Sequence, residues 1–170
     1  MNLKLNLGSG GKNLEGYTNI DISPNADLTW DLEEGLPMSL KSYYESCVEE
    51  IRAYHILEHI TNLKDLLNDC WEMLSATGLM EIVVPRFPHI SAVADPTHVR
   101  YFVSATFMYF SYSSEFSELY GFKPWAIRYM EERDDIIFCV MVPYTDEIKK
   151  KIENGEVKEV GVDVPWGEIR

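Results

Sequence analysis

Residues 3–11 read Leu3-Lys4-Leu5-Asn6-Leu7-Gly8-Ser9-Gly10-Gly11. The first five alternate apolar and polar, the period of a short β-strand. Glycines follow with no spacer. Lacking a Cβ and tolerating positive φ, they let a turn close tightly and present backbone N–H groups to a ligand. Thr18-Asn19-Ile20-Asp21-Ile22 comes next, a second apolar run with a carboxylate near its end. Strand, glycine turn, strand and acid is an arrangement that holds a nucleoside, with glycines under the polar tail and the acid on the ribose hydroxyls.

The spacing departs from the dinucleotide pattern. Its third glycine would fall at Asn13, and Asp21 follows Gly8 by 13 residues rather than the ~20 of NAD proteins. Only a very short helix or a bare loop fits between Gly11 and Thr18. The plain alternative is a glycine hairpin joining two edge strands.

Working outward, Ala26–Asp31 reads as a third strand and Ser39–Ser46 as a helical segment. Val48–Tyr54 is a fourth strand. Leu63, Leu66, Leu67, Cys70, Met73 and Leu74 recur at three- and four-residue steps and predict a helix, with Asn62 to cap its start and Gly78 its end. Leu79–Val84 is a nearly all-apolar fifth strand, as in a parallel sheet. Arg86–Val103 is a long irregular segment. Ser104–Leu119 is an aromatic-rich helix. Trp125–Glu132 and Asp135–Val142 pair as an antiparallel hairpin. Asp146–Asn154 is a polar helix, and the last residues form a tail anchored by Trp166. This order implies an open twisted α/β sheet with its ligand crevice at the carboxyl ends of the strands. Gly8–Gly11, Asp21, Asp31, His55 and Arg86 all fall just past strand ends.

The totals narrow the class. A chain of 170 residues with 46% apolar content is long enough for one real core. The net charge of −13 repels phosphate backbones, so no nucleic-acid partner is expected. No apolar run reaches the length of about 18 residues that spans a membrane. The strand-like start, without a charged-then-apolar leader, favours the cytoplasm. Cys47, Cys70 and Cys139 are too scattered for a disulfide framework or a CxxC metal site, and are expected as buried thiols.

Taken together, the chain resembles the class I, Rossmann-like S-adenosylmethionine-dependent methyltransferases, and within them a small variant with a shortened first helix. The likeness covers about residues 3 to 143. It rests on Leu5–Gly11, Asn19–Pro24, Asp31-Leu32, His55–His59 and Met73–Leu79. It implies a sheet of order 3-2-1-4-5-7-6, mostly parallel with a C-terminal antiparallel hairpin. Residues 1–145 would form the S-adenosylmethionine-binding domain; 146–170 would be a short helix and tail, not a second domain.

The resemblance also implies roles. Gly8, Ser9 and Gly10 would lie under the methionine part of the cofactor. Asp21 would accept the ribose hydroxyls. Ile22 would pack on the adenine, with Asp31 at its exocyclic amine and Leu32 beside the ring. Tyr54 or His55 would line the methyl side. Asn6 stands where the family usually has an acid. The implied reaction is methyl transfer to an oxygen or nitrogen of a small-molecule acceptor. A homodimer is left open.

For proton removal from the acceptor, Ala94–Phe102 supplies His98, whose ordinary pKa of about 6.5 suits a base near neutrality. Asp95 would orient it, and Arg86 or Arg100 would meet an anionic group on the acceptor. His55 shares the rim. The other reading of Asp95 and His98 is a proline-stabilised turn that satisfies backbone groups. The aromatic group Phe102, Phe107, Tyr109, Phe110 and Tyr112 is expected as core or pocket wall. Two rival functions stand beside methyl transfer. One is a non-catalytic nucleoside-binding module. The other is a zinc hydrolase, because His55-Ile56-Leu57-Glu58-His59 spells the inverted zinc-protease string; no metal is otherwise expected.

Overall fold

The computed structural model describes residues 3–157. Seven strands form one sheet: β1 (Leu3–Leu7), β2 (Thr18–Asp21), β3 (Leu28–Thr29), β4 (Val48–Tyr54), β5 (Leu74–Pro85), β6 (Trp125–Glu132) and β7 (Ile136–Pro143). Their order is β3-β2-β1-β4-β5-β7-β6. The first five are mutually parallel, and β7 runs antiparallel to both β5 and β6. This is the Rossmann-like topology expected. The parallel pairing of β1 with β2, at Leu5–Thr18 and Leu7–Ile20, excludes a glycine hairpin.

Among the described residues five helices lie between strands, α1 (Met38–Tyr44), α2 (Leu63–Met73), α3 (Ile90–Val93), α4 (Ser104–Met108) and α5 (Glu115–Leu119), and α6 (Asp146–Glu153) follows β7. α2 buries Leu63, Leu66, Leu67, Cys70 and Met73 against one face of the sheet, where Leu5, Leu7, Ile51, Ala53, Met80, Ile82 and Val84 await them. Each large apolar side chain so buried contributes about 1.5–3 kcal/mol. Phe102, Phe107, Phe110 and Trp125 extend this core. α6 adds a small cluster through Ile148, Ala126 and Val142. Residues 11–17 form no helix. On the side they leave open, β1, β4 and β5 carry Lys4, Glu50, Arg52 and Glu81 in a chain of ion pairs, with Lys4 and Arg52 over the Tyr17 ring.

Several boundaries differ from expectation, each for a local reason. α2 stops at Met73, not before Gly78, because Leu74 already adopts an extended conformation. β5 pairs from there with a shift in register, Val48 facing Leu74 and Glu50 facing Leu79. Gly78 is needed for close approach: a Cβ there would lie 2.6 Å from the Val48 carbonyl oxygen. The third strand shrinks to Leu28–Thr29, since Asp31 instead caps a 3-10 turn at Leu32–Glu34 through the Glu33 N–H. The helix expected over Ser104–Leu119 is broken between α4 and α5. There Ser111 bridges to Trp125, and the Ser114 hydroxyl accepts from the Phe116 N–H, the local bonding that makes serine a helix starter. The irregular segment contains α3 and a bridge from Arg86 to Phe102. Cys47 is exposed, whereas Cys70 and Cys139 are buried as expected. Trp166 lies outside the described residues.

Asn62 makes no capping bond through its side chain. Glu33 takes over from across the chain, accepting from the Thr61 and Asn62 N–H groups and the Thr61 hydroxyl at 2.7–3.1 Å. Burial opposes its charge, but these bonds outweigh burial and hold its pKa below the usual carboxylate value. A depressed pKa stabilises the fold above the unfolded value and loses that contribution as pH falls through the folded one. Glu33→Gln is therefore expected to cost about 1–2 kcal/mol at pH 7. In urea titrations at a series of pH values, the gap to wild type should narrow below about pH 4.

Candidate functional site

Because β1 to β5 are parallel, the residues that follow them share one rim. Gly8 follows β1, Asp21 ends β2, Asp31 follows β3, His55 follows β4 and Arg86 follows β5.

The glycine turn is built for close approach. Gly8 has φ +68°, and a Cβ on it would lie 2.6 Å from the Cβ of Ile56. Gly10 has φ +57°, and a Cβ there would meet nothing within 4 Å, so its outer face is open. The Gly10 N–H donates to one Asp21 oxygen at 2.9 Å, and the Ser23 N–H donates to the other at 2.7 Å. Each oxygen keeps a lone pair for a further donor. Beside Asp21 lies a groove of about 160 Å³ lined by Ile22, Trp30, Asp31, Leu32, Ile56 and Ile60, among others. Ile22 is 72% exposed on its wall, while Leu32 is 4% exposed and reaches the groove from the core. The Ser9 hydroxyl is buried at the turn with no partner among the described residues. Asn6 does not face the groove. Its amide donates to Asn19 at 2.8 Å, and Asn19 in turn donates to Asp27.

The structure gathers part of the second expected set. His55 has a positive φ of 54°, and its side chain is 54% exposed at the rim. Its Nδ1 lies 3.5 Å from Glu58, whose carboxylate holds the imidazole pKa above its ordinary value against the opposing effect of burial. Tyr54 points elsewhere: its hydroxyl donates to Glu81, and burial followed by that bond pushes its pKa up to about 12.

His98 differs from expectation. Its side chain is 6% exposed, Nδ1 is held 2.8 Å from the Ala92 carbonyl oxygen, and Nε2 faces Glu58 and Asp95 at about 4 Å. A ring so enclosed is not placed to reach an incoming acceptor. One Asp95 oxygen accepts from both the N–H and the hydroxyl of Thr97, so the turn-forming reading of this stretch holds for it. Arg100 donates to the carbonyl oxygens of Ile60 and Thr61, which ties two loops together and leaves it little freedom to bind an anion. Arg86 remains at the rim with a 3.4 Å contact to Glu132. The HxxEH string lies in a turn, not on a helix, so His55 and His59 are not the one-turn ligand pair of a zinc hydrolase. Trp30 and Ile56 line the groove without any signal in the sequence beyond their apolar character.

No family model matches the chain, and no curated protein matches it in sequence. Solved structures match it in fold. A S-adenosylmethionine-dependent methyltransferase from Archaeoglobus fulgidus superposes with a TM-score of 0.56 at 21% identity, over 78% of this chain and 66% of that one. The Burkholderia thailandensis 1,6-didemethyltoxoflavin-N1-methyltransferase, solved with bound 1,6-didemethyltoxoflavin and S-adenosylhomocysteine, gives 0.57 at 10% identity over 84% and 71%. The 16S rRNA (adenine(1408)-N(1))-methyltransferase from Catenulisporales acidiphilia gives 0.56 at 9% over 85% and 86%. The chain thus spans just under two thirds of the Archaeoglobus protein. It has the class I, Rossmann-like methyltransferase fold.

Proposed function

We propose that the protein binds S-adenosylmethionine and transfers its methyl group to an oxygen or nitrogen atom of a small-molecule acceptor. The observation that carries this reading is the meeting of the glycine turn after β1 with the Asp21 carboxylate at the end of β2, beside an apolar groove. The residues fit the cofactor. Open space over Gly10 and the Ser9 hydroxyl, without a partner among the described residues, suit its amino-acid end, Asp21 suits a pair of ribose hydroxyls, and Ile22 offers an exposed apolar surface to a flat ring. Asp31 and Leu32 border the same groove.

Bound there, the sulfonium supplies an already activated methyl carbon. The chain's task is then alignment and, for a hydroxyl or amine acceptor, proton removal. His55 is the candidate proton acceptor, because it projects from the rim with Glu58 behind it. Asp95 and His98 sit behind that pair and shape the adjoining cavity of about 290 Å³. Arg86 is the cation best placed to meet an acidic acceptor. With a net charge of −13, the surface favours a small acceptor over RNA.

Calorimetry with S-adenosylmethionine and S-adenosylhomocysteine tests the cofactor. One-site binding of both is expected; absence of heat with either ends this reading. Labelled methyl transfer into fractionated metabolite extracts then separates an enzyme from a module that only binds the nucleoside.

A further inference from the structure

We propose that Glu58, His59 and His98 form a binding site for one divalent transition-metal cation, zinc first among them. Atoms able to ligate a metal on these three residues all lie within 4.8 Å of one another. This grouping is not the HxxEH string: His55 is outside it, and its third member comes from 39 residues beyond His59. The proposal does not require methyl transfer, although Glu58 also stands behind His55 in that reading.

The two histidines are oriented as ligands are. The His98 Nδ1 lies 2.8 Å from the Ala92 carbonyl oxygen, which accepts only, so Nδ1 carries the proton and Nε2 the lone pair. The His59 Nδ1 lies 3.3 Å from the Thr97 carbonyl oxygen and 3.0 Å from the Thr97 hydroxyl oxygen. That hydroxyl donates to Asp95 at 2.6 Å and therefore accepts from His59. His59 is thus also protonated on Nδ1 with Nε2 free. A metal-bound histidine usually donates its second ring N–H to a carbonyl or carboxylate in this way, which fixes the tautomer and the ring angle.

Glu58 supplies the second, independent sign. The residue is 1% exposed, and one of its carboxylate oxygens is buried with no hydrogen-bond partner among the described residues. Its other oxygen lies 3.5 Å from the His55 Nδ1 and 4.0 Å from the His98 Nε2, and no lysine or arginine pairs with it among those residues. A buried carboxylate oxygen without a donor is costly, and a cation removes that cost. Asp95 holds its second oxygen 3.9 Å from the His98 Nε2, near enough to supply a fourth ligand or to orient a water.

Imidazole and carboxylate together suit zinc or a neighbouring transition metal, whereas magnesium and calcium prefer all-oxygen sets. Tetrahedral zinc with bonds of about 2.0–2.1 Å places its ligand atoms roughly 3.3 Å apart. The trio must therefore close by up to about 1.5 Å, through side-chain rotation. Its backbone is already clamped, with the Val99 N–H donating to the Glu58 carbonyl oxygen at 2.9 Å. His59 and Glu58 also border the 290 Å³ cavity, so the fourth position opens to solvent there.

The test is zinc competition against a chromophoric chelator on chelator-dialysed protein, with millimolar magnesium present to occupy the acidic surface. One zinc per chain is expected. His98→Ala and His59→Ala should each weaken it at least 100-fold, and Glu58→Gln at least tenfold. His89→Ala, a histidine outside the cluster, should leave it unchanged. Equal affinity in wild type and the His98 variant overturns the proposal. Cobalt(II) titration of the wild type keeps the test decisive if a variant fails to fold: intense visible bands of a four-coordinate site are expected. A wild-type protein with neither those bands nor zinc uptake overturns the proposal outright.

Discussion

Asp21→Ala is expected to weaken S-adenosylhomocysteine binding about 100-fold or more, with little change in the urea midpoint. The carboxylate stands to lose two charge-assisted hydrogen bonds to the ribose, each contributing about 1.5–3 kcal/mol, and about 1.4 kcal/mol corresponds to tenfold in affinity. Its existing bonds from the Gly10 and Ser23 N–H groups lie at an exposed or half-buried turn, where water substitutes for them. Stability should therefore fall by no more than about 1 kcal/mol. Isothermal titration beside urea unfolding separates the two effects. Normal binding by this variant would show that the ribose is not held at the end of β2.

Phe107→Ala is expected to produce the largest loss of stability, about 3–5 kcal/mol. Phe107 is fully buried, with rings of Phe102 and Phe110 at 5.8 and 6.1 Å. Its removal leaves a cavity among closely packed rings. The measurement is the urea midpoint at constant m-value. A loss below about 1 kcal/mol would show that Phe107 is not held in a tightly packed core.

The parallel half of the fold was legible because its signals are local and strong. Leu3–Leu7 alternates, Leu79–Val84 is almost wholly apolar, and α2 repeats its apolar residues with helical period. Element ends were less legible, since they depend on partners distant in sequence. Gly78 reads as a helix stop until Val48 is seen to approach it, and Asn62 reads as a cap until Glu33 arrives from 29 residues earlier. The glycine turn and Asp21 were readable for the same reason as the strands that carry them. The surroundings of His98 were not. Its pairing with the Ala92 carbonyl and its proximity to Glu58 arise only when the 95–100 loop folds back on the turn after β4. Sequence spacing suggested His55 as a companion of His59, and chain geometry substituted His98.

The ion pairs on the outer side of β1, β4 and β5 have a consequence for how the molecule assembles. Half-buried ion pairs contribute little until both long side chains are held in place, so collapse is driven mainly from the α2 face, with the smaller α6 cluster adding to it. The expected folding nucleus gathers β1, β4, β5 and α2, with the charged lattice locking once the strands are in register; φ-values near zero for Lys4 and Arg52 variants would show that order. Its influence falls on how long the native state persists rather than on how quickly it is reached.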